Sequence, residues 1–408
     1  MLPYPTTRAE ISRSRLIGNF EALRAWIEAA SVDTRCDLMA VVKGNAYGNG
    51  VSLCAPWLAD AGAEWLGVTS AEEGAAVRRL CPFARILVMR CLLRSEVDVL
   101  LDARLVPTVW ELAQLDWLAD AAANRDVAAA SIPIHLEIDS GMTRQGVGLG
   151  ELAQFLRQLS SHPALRLEGV YTHFASPEML DAEQNRQQWM VFERAVESVF
   201  ATRFRPQWIP QWIHAGNSSS VLSRQIVQPL SALAAKMGVR CMMRPGIALY
   251  GYASPFMGAQ TEAAESARAA LQPVLAWKTE IASLRDVGRG AQVGYDATFT
   301  APRRMRLALL PIGYADGLNR KLSGGKGSNG GHVLVRGETA PVVGRISMDL
   351  TVVDVSHAPE VAVGDTVTIL GEQDGLRITA DDHARWAETI PYEILCGISA
   401  RVPRVPAE

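Results

Sequence analysis

Between residues 9 and 250 the chain repeats one pattern: a short apolar run, a polar or glycine-bearing break, then a segment with apolar residues at helical spacing. Strand-like runs fall at Leu38–Val42, Trp65–Val68, Arg85–Met89, Leu105–Val109, Ile132–Ile138, Arg166–Val170, Trp212–Ala215 and near Cys241–Met243. Helical segments alternate with them at Ser52–Ala61, Ser70–Leu80, Ser95–Leu100, Glu111–Asn124, Gly150–Leu159 and Asp181–Phe200, and a mixed stretch runs to Met237. A first helix is expected over residues 9–31, from the spacing of Ile11, Leu16, Phe20, Leu23 and Ile27. About eight strands with short connections predict a parallel sheet with helices outside, closed into a barrel rather than left open.

After Tyr250 helices thin out. Strand-like runs follow one another at Val274–Ser283, Ala291–Phe299, Met305–Ile312, His332–Val335, Pro341–Ile346, Leu350–Val355 and Asp365–Ile369. One helix, Thr379–Ala387, precedes a last apolar run, Ile390–Ile398. The fold class is therefore α/β: an N-terminal (β/α)8 barrel over residues 1–252, then a mostly β C-terminal domain over 253–408. Residues 253–269 are the crossing segment, and residues 1–8 are expected to pack with the second domain.

The length of 408 residues suits two domains, and 49% hydrophobic with 20% charged residues suits a folded protein with a sizeable core. A net charge of −3 gives no electrostatic argument for nucleic acid or an anionic membrane. No run approaches the ~20 apolar residues of a membrane span, and the N-terminus lacks a basic region followed by an apolar core. Cys36, Cys54, Cys81, Cys91, Cys241 and Cys396 are scattered, with no CxxC pair. Free thiols in a reducing compartment are expected rather than disulfides or a zinc site, and the location expected is cytoplasmic.

The first chemical signal is Lys43, which ends the run from Leu38 and is followed by Gly44, Gly48 and Gly50. Desolvation at a strand end lowers an ammonium pKa and makes the amine a usable base or nucleophile. One reading is a Schiff-base lysine beside a phosphate-bearing cofactor, since glycines let backbone approach a ligand. The other is a lysine whose stem packs while its head reaches solvent. Four later strand ends also carry polar groups: Asp139–Arg144, Tyr171–Phe174, His214–Ser219 and Arg244–Ile247. A barrel gathers such ends on one face. Gly246 would let backbone amides approach an anion, and Ser218 offers a hydroxyl; Arg244 would bind a phosphate, meet a ring nitrogen, or pair with a carboxylate.

These stretches, in order, resemble the motifs of the alanine racemase family, pyridoxal-phosphate enzymes of fold type III. Ala40–Gly50 resembles the cofactor-lysine signature, with Asn49 where the family usually has His. Asp139–Arg144 resembles the arginine motif, and Arg244-Pro-Gly-Ile-Ala-Leu-Tyr250 the pyridine-nitrogen motif. Val293–Phe299 resembles the catalytic tyrosine motif, Gly344–Asp349 the substrate-side methionine loop, and Pro391–Gly397 the closing motif. The likeness covers residues 8 to 402, about the whole chain.

The resemblance implies pyridoxal 5'-phosphate as cofactor, alanine as substrate and a two-base mechanism. Lys43 would serve the D enantiomer and Tyr295 the L enantiomer. Arg144 would bind the cofactor's phenolic oxygen and orient the substrate carboxylate, with Met348 on the substrate side and Asp349 in support. Arg244 would face the ring nitrogen. Ser218, Gly246, Ile247, Tyr47 and Tyr392 would hold the phosphate, and His173 would stack near the ring. The likeness implies a homodimer, with Tyr295 and Met348 entering the partner's active site, and D-alanine made for peptidoglycan. No metal, nucleic acid or membrane is expected to be involved.

One departure stands at Glu137, seven positions before Arg144, where many members carry a lysine, often carbamylated. Glu137 is expected to supply the negative charge that orients Arg144. The nearest alternative is the same chemistry on serine or a broad set of amino acids. A D-threonine-type aldolase would need a metal site, and no His/Cys pair near the C-terminus offers one. A decarboxylase would need residues for a longer basic side chain, and a non-catalytic cofactor carrier would not need the β domain with Tyr295. The tandem Pro206–Ile209 and Pro210–Ile213 carries no chemical reading, and the glycine-rich run 324–331 is expected to be a hairpin loop.

Overall fold

The computed structural model describes residues 6–125, 128–202, 209–325 and 330–408. Internal contacts divide the chain into two units. One holds residues 16–46 and 54–272; the other holds residues 1–15, 47–53 and 273–408. By internal contacts the helix Glu262–Ala269 groups with the barrel, and the second unit resumes at Pro273.

The first strand, β1 (Arg8–Ser12), belongs to the second unit. The next eight are β2 (Cys36–Val41), β3 (Trp65–Val68), β4 (Arg85–Cys91), β5 (Val106–Val109), β6 (Ile132–Glu137), β7 (Leu165–Tyr171), β8 (Trp212–His214) and β9 (Arg240–Met243). All neighbours are parallel, and β2 pairs with β9 in the register Cys36↔Cys241, so the barrel closes. Met39, Trp65, Leu87, Val106, Trp212 and Met242 pack as one buried cluster. Burying an apolar side chain of this size contributes roughly 1.5–3 kcal/mol. Arg85 and Arg240 lie 4.2 and 4.0 Å over the Trp65 and Trp212 rings.

The outer helices follow their sequence signals. Ser70 caps Ala71–Leu80 by accepting from Glu73 N, with Glu72 and Glu73 in the first turn and Arg78 and Arg79 in the last, matching the helix dipole. Leu149–Ser160 buries Leu152, Phe155, Leu156 and Leu159, spaced to form one stripe. The first helix is Arg13–Ala30 rather than 9–31. Residues 8–12 alternate as a strand instead, with Ala9 and Ile11 both buried and β1 paired to its neighbours on both edges.

The second unit is mostly β. Its main sheet runs β16 (Glu338–Pro341), β15 (His332–Val335), β18 (Thr366–Gln373), β10 (Leu275–Glu280), β1, β20 (Arg404–Ala407), with β19 (Leu376–Ile378) paired to β18. A second sheet orders β11 (Ser283–Val287), β14 (Met305–Leu310) and β17 (Thr351–Asp354). The expected strand Ala291–Phe299 is two short strands, β12 (Gln292–Val293) and β13 (Phe299–Thr300), around a 3-10 turn at Tyr295–Ala297. The run Ile390–Ile398 forms a helix, Pro391–Gly397, which Pro391 starts because a first-turn residue needs no N–H partner. Residues 326–329 of the glycine-rich run and residues 206–208 of the tandem lie outside the described residues. No helix among the described residues is long and apolar enough to cross a membrane.

Candidate active site at the barrel mouth

Four of the predicted residues lie just past the C-terminal ends of barrel strands: Lys43 after β2, His173 after β7, Ser218 after β8 and Arg244 after β9. In a parallel barrel these ends open on the same face. Lys43 is half-buried. Behind it the backbone enters a left-handed turn, with φ between 52° and 62° at Gly44, Asn45, Ala46 and Tyr47, then 82° at Gly48. A left-handed conformation costs a non-glycine residue roughly 1–2 kcal/mol, so this turn must be held from outside. Glu73 does part of that, accepting from Gly44 N and Thr69 N at 2.8 Å each. Val42 N donates to Gly67 O at 2.8 Å, and Tyr250 OH to Val41 O at 3.1 Å.

Arg144 sits on an exposed loop after β6. Asp139 Oδ1 accepts from the amides of Gly141, Met142 and Thr143 at 3.0–3.1 Å and knots the loop. Asp139 N and Val147 N close its base on Val147 O and Glu137 O. Ser140 Oγ and Thr172 Oγ1, 2.7 Å apart, tie the loop to the end of β7.

Glu137 is buried, and its carboxylate is occupied. Tyr171 OH donates to Oε2 at 2.8 Å, and Gln145 Nε2 donates to the same oxygen. No ion pair joins Glu137 to Arg144 among the described residues; the hydrogen bond goes to the next residue, Gln145. Burial raises the Glu137 pKa; the Tyr171 and Gln145 bonds and the charges of Arg244 and Arg144 pull it back only in part.

Arg244 is buried and held at two nitrogens. Nη1 donates to His214 Nδ1 at 3.0 Å and Nη2 to Thr172 O at 2.7 Å. Beside it, Ser218 Oγ accepts from the amides of Gly246 and Ala248 at 3.1 Å each, so backbone donors converge around one hydroxyl. Asn217 caps the short helix that Ser218 starts by accepting from Ser220 N. Gly216, at φ 73°, allows the tight entry: a Cβ there would lie 2.4 Å from Met243. Burial and the charges of Arg244, Arg144 and Lys43 push the His173 pKa down to about 3, so its imidazole is neutral near pH 7. Three cations around one neutral histidine make the mouth an anion-seeking site.

The remaining predicted residues belong to the β unit. Tyr47 is buried, and its ring lies 6.1 Å from that of Tyr392, so the opening and closing motifs meet. The contact is close: a Cβ on Gly48 would lie 2.0 Å from Leu395 O. Arg404 Nε donates to Gly48 O at 2.9 Å. Tyr295 is 65% exposed and Met348 53% exposed. Asp296, with φ 58°, pairs with Arg345, which pins the Tyr295 turn to the loop carrying Met348. Asp349 pairs with Arg401 at 2.9 Å.

Sequence reasoning did not single out Gln145, His135 or Glu168, and named Tyr171 only within a polar strand end. The signal was period-two alternation: His135 and Glu137 share one face of β6, and Gly169 and Tyr171 one face of β7. All six cysteines are free thiols, and the described residues hold no cluster of three or more metal-ligating side chains.

Comparison with known proteins matches both parts of the chain. Residues 11–254 match the family described as alanine racemase, N-terminal domain, and residues 274–406 the alanine racemase, C-terminal domain. An alanine racemase of Halothermothrix orenii is 36% identical over 398 residues, covering 98% of this chain and 96% of that protein. The crystal structure of alanine racemase from Streptomyces lavendulae has a TM-score of 0.84 at 29% identity, covering 100% of this chain and 98% of that one. The alanine racemase of Bacillus anthracis with bound L-Ala-P has a TM-score of 0.84 at 30% identity, covering 100% and 96%.

Proposed function

The chain belongs to the alanine racemase family, and from that premise we propose that it interconverts L-alanine and D-alanine with Lys43 and Tyr295 as two opposed bases and pyridoxal 5'-phosphate as cofactor. Membership makes it an isomerase. The observation that carries the cofactor reading is geometric: the Gly246 and Ala248 amides converge at Ser218 Oγ beside the buried Arg244, at the strand ends where half-buried Lys43 also lies.

The residues present fit the cofactor. Amides converging at Ser218 Oγ suit a phosphate, as does the Gly246–Ile247 backbone beside it. Tyr47 and Tyr392 are assigned to the same phosphate. A buried guanidinium suits a ring nitrogen, and Lys43 suits the aldehyde carbon. When bound, pyridoxal phosphate supplies the electron sink that makes an amino acid's Cα–H acidic.

The chain's own groups do the rest. Arg144 orients the substrate carboxylate. Arg244 donates a hydrogen bond whose proton it does not surrender, since guanidinium is effectively never deprotonated. A ring nitrogen facing it stays unprotonated, which limits the electron sink and disfavours side reactions. Lys43 Nζ takes or returns the Cα proton on one face, for the D enantiomer. Tyr295 OH does so on the other, for the L enantiomer. A free phenol has a pKa of about 10, so the cations of the mouth are assigned to help Tyr295 work near neutral pH. His173, neutral, passes no charge of its own to that site.

We place Tyr295 and Met348 in the active site of a second copy. Their exposure on the β unit supports this, with Leu350 of the Met348 loop at 42% exposed and Tyr314, whose amide donates to Ser347 O, at 43%. The free thiols support a cytoplasmic location, where the product would serve peptidoglycan synthesis. The test is racemisation of alanine and of serine by the wild-type protein loaded with pyridoxal phosphate. Turnover of alanine well above serine is expected. Turnover of serine equal to or above alanine would replace the substrate assignment with the broad-specificity one.

A further inference from the structure

Four polar side chains line up inside the barrel, below its mouth: Arg244, His214, His135 and Glu168, none more than 5% exposed. Arg244 Nη1 lies 3.0 Å from His214 Nδ1. His214 Nε2 lies 2.8 Å from His135 Nδ1. His135 Nε2 lies 3.7 Å from Glu168 Oε2, too far for a formed hydrogen bond but close enough for charge–dipole attraction. The carboxylate itself is tied to Arg85 and, at 2.7 Å, to Arg166.

The chemistry of one member sets the protons of the others. A guanidinium can only donate, so His214 Nδ1 must accept. The neutral ring then carries its proton on Nε2 and donates it to His135 Nδ1. His135 must in turn carry its proton on Nε2, which faces Glu168. Donation therefore runs one way, from Arg244 through His214 to His135, whose remaining N–H faces a buried carboxylate. Burial drives both histidines toward the neutral form this requires, with Arg244 adding its charge at His214. At Glu168 burial opposes ionisation, but His135 and Arg85 outweigh it and hold the carboxyl well below its usual range.

The surroundings leave the rings little freedom. Tyr171 stacks on His214 with centroids 4.5 Å apart and planes 21° from parallel. A Cβ on Gly169 would lie 2.6–2.7 Å from three atoms of the His135 ring, so the glycine on β7 keeps the space that ring occupies. With Nη1 on His214 and Nη2 on Thr172 O, the Arg244 fork cannot turn.

We propose that Glu168 and His135, acting through His214, are positioning residues for Arg244, holding the guanidinium in the orientation the cofactor site uses. What Arg244 faces rests on the cofactor reading above; the histidine tautomers do not.

The test takes the holoenzyme labelled with 15N-histidine. Nuclear magnetic resonance should find His135 and His214 both neutral with the proton on Nε2. An Nδ1–H tautomer or an imidazolium at either position would overturn the relay. Two variants then test its consequence. His135→Phe removes the acceptor for His214, whereas His135→Gln keeps one acceptor and one donor. His135→Phe should weaken pyridoxal phosphate binding about 10-fold, the scale seen when a supporting bond behind a bound group is lost. It should also lower kcat more than it raises KM. His135→Gln should recover most of both losses. Unchanged cofactor affinity and kcat in His135→Phe would overturn the proposal. Should that variant fail to fold, Gly169→Ala displaces the His135 ring instead and is read the same way. A protein that bound no pyridoxal phosphate would end the cofactor reading, and the tautomers would still be measurable.

Discussion

Glu137 shows what one substitution does to a buried site. In a carboxylate surrounded by protein, water no longer solvates the charge, so donors must. Tyr171 and Gln145 are those donors, and Gln145 is the direct chain neighbour of Arg144. Glu137 therefore reaches Arg144 through the backbone of the arginine loop rather than through an ion pair. The sequence made Glu137 conspicuous, because an acid stood where a lysine was expected. It could not show the partner, because Gln145 reads as an ordinary loop residue until the loop is closed by Asp139 and Val147. Glu137→Gln keeps the size and removes the charge. It should lower kcat/KM for alanine roughly 10-fold, the discrimination that one charged hydrogen bond supplies, with the fold intact by circular dichroism. Unchanged kcat/KM and cofactor affinity would make Glu137 a packing residue only.

At the scale of elements, periodicity located the eight barrel strands because parallel strands buried on both faces read as short continuous apolar runs. It failed where one set of residues fits two periods. Ile11 lies on the apolar stripe of a helix that would begin at residue 9, yet it is equally an inward residue of β1; pairing with β10 and β20, from the far end of the chain, decides it. The Tyr295 segment failed differently: Gly294 and Asp296 take positive φ and break a strand that composition favoured.

The helix Ala380–Ala387 carries a testable consequence of burial. Its His383 is fully buried, and burial outweighs a backbone bond and the Asp382 charge to bring its pKa to about 4. In the unfolded chain the value is about 6.5. Between those values the unfolded state binds a proton that the folded state refuses. The stability this represents is fully present above pH 6.5 and is lost as pH falls through 4, on the order of 3 kcal/mol. His135, His173 and His214 are shifted in the same direction. Urea midpoints of the wild type should fall between pH 7 and 4, and those of His383→Gln should fall less steeply. Parallel slopes would show that His383 is solvated.

At the scale of the whole molecule, the two units carry different parts of the proposed site. The barrel carries Lys43, Arg144, Arg244 and the amides proposed for the phosphate, and the β unit carries Tyr295 and Met348, both exposed. The sequence revealed both sets through motif order, but exposure is a property of the fold and was not legible. If Tyr295 serves a second copy, chains defective at different bases should complement. Lys43→Ala and Tyr295→Phe chains, each inactive alone, form mixed dimers with one intact site. Coexpressed in equal amounts they should recover about a quarter of wild-type activity, as random two-fold pairing requires. No recovery would place Lys43 and Tyr295 of one site on a single chain.

The central claim is that two bases work on opposite faces of one carbon. It is tested most directly by proton exchange in heavy water with Tyr295→Phe. Losing a positioned acid–base group costs about 10²–10⁴-fold, so racemisation should drop by that order. The account predicts that D-alanine nevertheless exchanges its Cα proton for deuterium, because Lys43 still serves that face, while L-alanine does not. Racemisation at the wild-type rate in Tyr295→Phe, or equal loss of exchange from both enantiomers, would contradict it.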